Sequence, residues 1–312
     1  MRVLITGGAG CLGANIVDHW RGRGHQYLAI DNFATSSAEA LSGAENLELV
    51  EGDVADQRLV DKLFDKFKPE LVLNSAAGYK DPDDWRGDLR ANALGSINVV
   101  EASKRNNVAR FVNFQTALCY GRPDTTPIPI TAPTRPFTSY GVSKTAGEHY
   151  VLMSGLNAVS LRLGNITGPR LSIGPIPTFY TRLKAGKGCF CSDTVRDFLD
   201  MEDFFSFLDL AVKADAPRGL FNVSTGEGHT IKDVFDEVVK YLGIKLDTPV
   251  PIVPPGDDDV PSVVLDPSET KRVFGWKAEV SFAESMRRML AWYDVNGVQA
   301  VYSHVKKPEG AQ

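Results

Sequence analysis

The chain of 312 residues is 43% hydrophobic and 23% charged, an ordinary globular composition, and carries a formal net charge of -5 at pH 7. The negative balance argues against a general nucleic-acid-binding protein, although a local basic pocket for a phosphorylated small molecule stays open. The length predicts one large α/β unit or two joined lobes.

Apolar runs and cysteines exclude further classes. No apolar run approaches the roughly 18 residues of a membrane span, and the chain starts on a strand-like run, so we expect neither a span nor a signal peptide and therefore a cytoplasmic location. Cys11, Cys119, Cys189 and Cys191 are too few for a disulfide framework. Cys189 and Cys191 lack a partner pair at zinc spacing, so we predict buried small side chains and no metal site.

Strand-like runs alternate with helix-like segments through the first half of the chain. The predicted strands are apolar runs with β-branched or aromatic residues, at 2–6, 26–31, 47–52, 70–74, 110–115 and 158–163. The predicted helices between them are 11–23, 58–67, 91–106 and 139–153. Parallel strands need crossover connections, so this alternation predicts an α/β fold with a doubly wound parallel Rossmann sheet.

After about residue 164 the alternation breaks down, and Gly/Pro-rich loops are predicted at 168–177 and 248–261. We therefore expect a smaller C-terminal α/β lobe that folds over the carboxyl edge of the sheet and binds the substrate. The predicted division is a first domain at 1–165, with segments near 198–223 (198–211 and 220–223) returning to it, and a substrate lobe at 166–197 and 224–312.

Two helices of the second lobe have N-terminal capping signals. Thr230 is followed three residues later by Asp233, and Ser281 is followed in the same way by Glu284. The last residues, 306–312, are expected to be frayed.

A glycine-rich turn follows the first strand. In VLITGGAGCLG (3–13), Gly7, Gly10 and Gly13 lead directly into a helix. Glycine suits such a turn because the close approach of the backbone to a pyrophosphate leaves no room for a Cβ, and the helix N-terminus then faces the phosphates. A glycine turn without a ligand is the alternative. The position between a strand and a helix, at the start of the chain, favours a dinucleotide site.

Acidic residues end the next two strands. Asp31 lies 18 residues after Gly13. A carboxylate there accepts hydrogen bonds from ribose hydroxyls and repels a 2′-phosphate, which favours NAD(H) over NADP(H). Asp53 follows the third strand and is a candidate contact for the adenine amine, with a helix N-cap as the alternative.

The glycine spacing, preceded by Thr6, resembles that of the extended short-chain dehydrogenase/reductase family. Further motifs that resemble this family follow in order along nearly the whole chain, namely AAGYK (76–80), NALGSINV (92–99), TALCYG (116–121), YGVSK (140–144), LRLGNITGPR (161–170), VRDFLDMED (195–203) and FNVSTGE (221–227). The chain is most similar to the family's NAD-dependent nucleotide-sugar epimerases, the UDP-galactose 4-epimerase-like group.

The resemblance implies a set of cofactor-binding residues. Lys80 matches a lysine that contacts the cofactor phosphate or ribose, and a solvated loop lysine is the alternative. The implied set is Gly7, Gly10, Cys11, Leu12, Gly13, Asp31, Asn32, Asp53, Val54, Ala76, Lys80, Asn92, Tyr140 and Lys144.

The candidate catalytic residues are Thr116, Tyr140 and Lys144. Tyr140 and Lys144 lie four apart in a predicted helix and share one face. Lowering a tyrosine pKa from ~10 to about 7 requires roughly 4 kcal/mol, which a nearby ammonium and the nicotinamide ring could provide. Thr116 would hold the substrate oxygen. A tyrosine and a lysine on a solvated helix face are the alternative.

The residues after Thr116 exclude some of the reactions found among related enzymes. Related dehydratases carry Asp-Glu immediately after this threonine, and related decarboxylases carry a glutamate two residues on, whereas this chain has Ala117 and Leu118. With dehydration and decarboxylation excluded, the chemistry that remains is hydride transfer with one proton relay. The resemblance therefore implies C4 epimerisation of a UDP-hexose derivative through a transient keto-sugar, with NAD regenerated each turnover, in surface polysaccharide or glycosylated-metabolite biosynthesis. An NAD(P)H-dependent reductase of a keto nucleotide-sugar is the main alternative, and a nucleotide-sensing regulator is a weaker one.

Two residues carry over as substrate contacts. Asn165 matches an asparagine that contacts the sugar or diphosphate, with turn capping as the alternative. Arg196 matches the arginine that grips the diphosphate, with a salt bridge to Asp197 or Asp200 as the alternative.

The chain departs from the resemblance in one place. Many epimerases have a second arginine near the loop that corresponds to 253–261, but this segment has no basic residue and three consecutive acids. Either Arg170 or Arg182 replaces it, or the phosphate site differs. Relatives often dimerise through the helices that correspond to 91–106 and 140–153, so a homodimer is expected.

Overall fold

The computed structural model describes residues 1–256 and 259–298. The predicted fraying of 306–312 lies outside the described residues. The strands in chain order are β1 (Arg2–Thr6), β2 (Gln26–Asp31), β3 (Leu47–Glu51), β4 (Leu71–Asn74), β5 (Arg110–Thr116), β6 (Ala158–Leu163), β7 (Asn165–Thr167), β8 (Cys191–Ser192), β9 (Val195–Arg196), β10 (Phe198–Asp200), β11 (Gly219–Val223), β12 (His229–Thr230), β13 (Ile252–Val253) and β14 (Ser262–Val263).

The helices differ from the predicted ones mainly at their ends. They are α1 (Cys11–His19), α2 (Gln57–Phe67), α3 (Trp85–Asp88), α4 (Gly95–Arg105), α5 (Ser139–Met153), α6 (Pro175–Lys184), α7 (Met201–Ala211), α8 (Ile231–Leu242), α9 (Ser268–Phe274) and α10 (Phe282–Asn296). A π-helical segment, Leu89–Leu94, joins α3 to α4, so the helix predicted at 91–106 begins six residues earlier than expected. The helix predicted at 11–23 ends early because Gly22 and Gly24 adopt positive φ angles.

The central sheet has seven parallel strands in the order β11-β6-β5-β4-β1-β2-β3. All six strands predicted in the first half are confirmed. From β1 the chain adds strands outward through β2 to β3, and it then returns to place β4 on the other side of β1. The loops after β1 and β4 therefore leave the sheet in opposite directions, which opens a crevice at its carboxyl edge.

Both faces of the sheet are covered. Val3 and Ile5 of β1 pack in one apolar cluster with α1 and α7, whereas Leu4 packs in a second cluster with α2 and α4. Side chains alternate between faces along a strand, so a continuous apolar run is what a sheet buried on both faces requires. The three phenylalanines of α7 belong to the first cluster, which places this helix against the sheet.

Arg110 links the sheet to the chain that returns after α7. Its guanidinium is buried and donates to the carbonyls of Ala211, Ala216 and Pro217 at 2.8–3.2 Å, and to Asn157 Oδ1 at 3.0 Å. Burial lowers the pKa of Arg110 to about 10. The three carbonyl acceptors fix the segment that leads into β11, which pairs with β6 at the edge of the sheet.

A separate apolar cluster is formed by α6, α8 and α10, within the segments predicted as the second lobe. The predicted caps are present, because Thr230 and Asp233 form a reciprocal capping box and Ser281 accepts from the backbone N–H of Glu284. The loop predicted at 168–177 is wrong for its last three residues, since α6 begins at Pro175. Proline is tolerated in a first helical turn, where no intrahelical donor is lost.

Candidate active site

A cavity of about 1030 Å³ lies at the carboxyl edge of the sheet, between the sheet and the second lobe. Most of the predicted site residues line it, namely Gly7, Gly10, Cys11, Leu12, Asp31, Asn32, Asp53, Val54, Ala76, Lys80, Thr116, Tyr140, Lys144, Asn165 and Arg196. Gly13 and Asn92 do not line it. The structure therefore brings together residues from the loops after β1, β2, β3, β4 and β5, from α5 and from the second lobe.

The glycine turn has no space for larger residues. Gly7 has φ +63°, and a Cβ there would lie 2.9 Å from Ala76 Cα. A Cβ on Gly13 would lie 2.6 Å from the carbonyl oxygen of Gly8, so this glycine packs α1 against the turn behind the cavity. A Cβ on Gly8 would lie 2.5 Å from Ala29 Cβ. The sequence pattern predicted no role for Gly8, although two adjacent glycines, Gly7 and Gly8, are a signal for such tight packing.

Asp31 is held in place from three sides. Its Oδ2 accepts from Ala9 N at 2.9 Å, and its Oδ1 accepts from Phe33 N at 2.9 Å and from Ser36 Oγ at 2.8 Å. A carboxylate offers about four acceptor positions, so one stays available to a hydroxyl in the cavity. The three donors orient the carboxylate that the sequence assigned to the ribose.

The side chains of Asp53 and Lys80 both form hydrogen bonds at the cavity wall. Asp53 Oδ2 accepts from Arg90 Nη2 at 2.8 Å, while its Oδ1 accepts from Ala55 N. The N-cap alternative for Asp53 is wrong, because the cap of α2 is Asp56. Lys80 Nζ donates to the carbonyl of Ala34 at 3.1 Å and so connects the loops after β4 and β2.

Asn92 supports the cavity from behind. Its Oδ1 accepts from Gly78 N and its Nδ2 donates to Gly78 O, both at 2.9 Å. Nδ2 also donates to Ser143 Oγ on α5 at 2.9 Å. Asn92 therefore fixes the loop at 76–80 to the helix that carries Tyr140.

Thr116, Tyr140 and Lys144 all line the cavity. Lys144 is buried, and its Nζ donates to the carbonyl of Phe114 at 2.5 Å. The Tyr140 ring lies 5.7 Å from the ring of Tyr79, centroid to centroid. Thr116 Oγ1 accepts from Leu118 N at 3.1 Å, which leaves its hydroxyl proton available to a ligand oxygen.

A buried ion pair lies next to Lys144 on the same helix. Glu148 Oε2 is 2.6 Å from Arg162 Nη2 on β6, and Glu148 also accepts from Ser160 Oγ at 2.8 Å. Burial lowers the pKa of Lys144 to about 8, and the charge of Glu148 opposes that shift. The sequence gives no local signal for this pair, because its two members are 14 residues apart on different elements.

Ala117 and Leu118 also line the cavity, in the short 3-10 helix Ala117–Tyr120. Neither side chain can transfer a proton. Tyr120 points away from this chemistry, because its hydroxyl donates to the buried Asn222 Oδ1 at 2.8 Å. The strand end therefore contributes Gln115 and Thr116 as polar groups at the cavity.

The arginines of the second lobe have different partners. Arg196 pairs with Asp259, and not with the alternatives Asp197 or Asp200, and burial lowers the pKa of its guanidinium. Asp197 instead accepts from Thr225 and Gly226, and Asp200 caps α7.

The other two arginines and Asn165 differ in their access to the cavity. Arg170 donates to Asn15 Oδ1 and Asp18 Oδ2, both at 2.6 Å, and does not line it, whereas Arg182 does. Asn165 lines it and donates to the carbonyl of Asp197 at 3.2 Å.

The two cysteines predicted to be buried, Cys189 and Cys191, differ in their burial. Cys191 is buried in the second lobe, while Cys189 is half-buried and lines the cavity. In the part of the chain that the structure describes, no three His, Cys, Asp or Glu side chains are grouped as metal ligands, and no helix is long and apolar enough to cross a membrane.

Residues 3–224 match the model of the NAD dependent epimerase/dehydratase family. The chain belongs to this family. A UDP-glucose 4-epimerase of Mycolicibacterium smegmatis is 30% identical, and the match covers 94% of this chain and 98% of that relative. The family assignment predicted from the motifs is thereby confirmed.

Solved structures that are similar to this chain have the same fold. The Bordetella bronchiseptica enzyme WbmG in complex with NAD and UDP is 60% identical, with 97% of each chain covered and a TM-score of 0.92. UDP-glucose 4-epimerase of Thermotoga maritima with UDP-glucose is 26% identical, with 95% of this chain and 99% of that chain covered and a TM-score of 0.87. The predictions of a Rossmann fold, of NAD as cofactor and of an NAD-dependent nucleotide-sugar epimerase are confirmed.

Proposed function

We propose that this epimerase inverts C4 of a UDP-linked hexose derivative through a transient keto-sugar. The observation that carries the proposal is that Thr116, Tyr140 and Lys144 line one cavity, while Ala117 and Leu118 occupy the positions after Thr116. This wall supports one proton relay and lacks the acid and base that an elimination would need beside Thr116. UDP in the WbmG complex and UDP-glucose in the Thermotoga enzyme support the choice of nucleotide.

The side chains divide the work in the proposed reaction. The Thr116 hydroxyl holds the reacting oxygen of the sugar, and the Tyr140 phenolate takes its proton and later returns it. The Lys144 ammonium stabilises that phenolate. The glycine turn and Asp31 would hold NAD, which would supply a reversible hydride acceptor for the sugar carbon. Inversion requires the keto-sugar to present its other face between the two transfers.

The residues of the cavity fit an NAD molecule. Cβ atoms on Gly7 and Gly13 would meet backbone atoms, so only glycine permits this tight turn before α1, a turn that suits the close approach of a pyrophosphate. Asp31 has one acceptor position for a ribose hydroxyl. We assign the cofactor to the predicted set, with Gly13 and Asn92 acting through packing and hydrogen bonds behind the wall, and the substrate to Thr116, Asn165 and Arg196.

The proposed assembly is a homodimer. Val142, Tyr150 and Met153 on α5 are 51%, 43% and 76% exposed, and Leu89 before α4 is 58% exposed. Apolar side chains exposed along two adjacent helices mark an association surface. A cytoplasmic location and a role in surface polysaccharide or glycosylated-metabolite biosynthesis are part of the same proposal.

The test is incubation of the purified protein with UDP-hexoses, UDP-N-acetylhexosamines and UDP-uronic acids, followed by separation of products by chromatography and NMR. We expect a C4 epimer from at least one class, NAD retained through purification, and no net change at 340 nm. Tyr140→Phe is expected to lower the rate at least about 100-fold while NAD is retained. Stoichiometric consumption of NADH or NADPH without an epimer would show a reductase instead.

A further inference from the structure

The basic side chains of the cavity fall into two groups. Among the described residues that line it, the lysines and arginines are Lys80, Lys144, Arg182 and Arg196. Lys80 and Lys144 are bonded to the carbonyls of Ala34 and Phe114, at the side formed by the sheet. The two arginines come from the second lobe, so they are the cations that an anionic substrate group would meet there.

Arg196 is already charge-compensated. Its Nη2 pairs with Asp259, its Nη1 donates to the carbonyl of Val195 at 2.8 Å, and the paired side chains are only 14% and 16% exposed. A diphosphate that approaches Arg196 therefore meets a pair with a net charge near zero. It also competes with the Asp259 carboxylate for the same guanidinium.

Among the described residues, Arg182 has no such counterion. It lies in the last turn of α6, where its Nε donates to the carbonyl of Gly188 at 2.7 Å and its guanidinium contacts the Cys189 thiol. No carboxylate within residues 1–256 and 259–298 forms an ion pair with it. A guanidinium has five N–H donors, and these contacts use only part of them.

We propose that Arg182 provides the main electrostatic attraction for the diphosphate of the substrate, and that Arg196, compensated by Asp259, is chiefly a positioning residue. The inference rests on the proposed nucleotide-sugar substrate and adds the residue that replaces the arginine missing from 253–261. Arg170 is not that residue, because it is paired with Asp18 outside the cavity. Cys189, next to this guanidinium, would then border the bound nucleotide.

The experiment measures the Kd of UDP by calorimetry on the NAD-containing protein at 50 and 500 mM NaCl. Loss of a charged hydrogen bond to phosphate predicts about 10- to 100-fold weaker binding for Arg182→Gln. The salt dependence should also become smaller in this variant, because fewer charge pairs are screened. Asp259→Asn should bind UDP more tightly than the wild type. Lys184→Gln, which removes a charge from the same helix outside the cavity, should stay within about twofold of wild type.

The outcomes separate this inference from the proposed function. UDP binding that is insensitive to Arg182→Gln, or that weakens in Asp259→Asn, overturns the role of Arg182 and leaves the nucleotide-sugar proposal standing. If the wild-type protein binds neither UDP nor dTDP, both proposals fail. A thermal melt of each variant identifies any loss that comes from misfolding, and Arg182→Lys, which restores the charge, should then recover part of the affinity.

Discussion

Glu148 and Arg162 form an ion pair in the protein interior, with 2.6 Å between Oε2 and Nη2 and side chains that are 0% and 4% exposed. The pair lies one helical turn beyond Lys144, whose pKa it influences. A buried pair contributes little net stability when intact, because desolvation offsets the attraction, but removing one partner is costly. Burial lowers the pKa of that lysine, and the charge of Glu148 opposes part of this shift.

Replacing Glu148 by glutamine should therefore have two effects. Arg162 would lose its counterion, which predicts a loss of about 3–5 kcal/mol in the free energy of unfolding. The pKa of Lys144 would fall below about 8, because the charge that opposes its desolvation is gone, so activity should decline at a lower pH than in the wild type. The measurements are urea unfolding and a pH–rate profile. Glu101→Gln, an exposed change on α4, is the control, and an unshifted profile would contradict the coupling.

The lowered pKa of Lys144 also predicts how the stability of the protein depends on pH. Its pKa in the folded protein is about 8, below the ordinary value of about 10.4 in an unfolded chain. Between these values the unfolded state binds more protons, so the stability contributed by this group rises with pH through that window and is lowest below pH 8. The shift corresponds to at most about 3 kcal/mol.

Lys144→Met removes this titration and tests the sign. In protein stripped of NAD, the variant should be more stable than wild type at pH 7–8, and the difference should shrink toward pH 10.5. Unfolding in urea at several pH values gives the comparison. Tyrosines and cysteines with raised pKa titrate in both proteins, so their effects cancel in the difference. A difference that grows with pH would rule out the lowered lysine pKa.

The glycine turn supplies a test of cofactor retention. A Cβ at residue 13 would lie 2.6–2.7 Å from the carbonyl oxygens of Gly8 and Gly7, so Gly13→Ala must displace the turn. We expect a loss of about 1–3 kcal/mol in stability and a large drop in the NAD that copurifies. Gly188→Ala is the control, since a Cβ there meets nothing within 4 Å, and its stability should change by less than about 0.5 kcal/mol. Full NAD occupancy in Gly13→Ala would contradict the packing argument.

Local patterns were sufficient for much of the fold. Strands such as β1 and β6 are apolar runs between turn signals, and the cap at Thr230 is read within four residues. The alternation of these elements requires a parallel sheet, and the family motifs then give NAD and the positions of Thr116 and Tyr140.

Ion pairs between residues that are distant in the chain could not be predicted from such local patterns. Asp259 is 63 residues from Arg196, and the sequence offered Asp197 and Asp200 as nearer partners. Those two carboxylates are used by backbone donors at turns and a helix cap, which only the folded chain reveals. The charge balance at the substrate end of the cavity is therefore a tertiary property.

The surface of α5 tests the proposed homodimer. Val142, Ala146, Tyr150 and Met153 repeat at intervals of three and four residues, so they share one helix face. A glutamate at Val142 would place a charge in that face, and burying it against a partner without a counterion is unfavourable. We expect Val142→Glu to shift the protein from dimer to monomer in size-exclusion chromatography with light scattering. Val295→Glu adds the same charge at an 85% exposed site on α10 and should leave the mass unchanged. A wild-type protein that is monomeric at micromolar concentration would overturn the proposed homodimer, and a dimer that Val142→Glu does not weaken would place the association surface elsewhere.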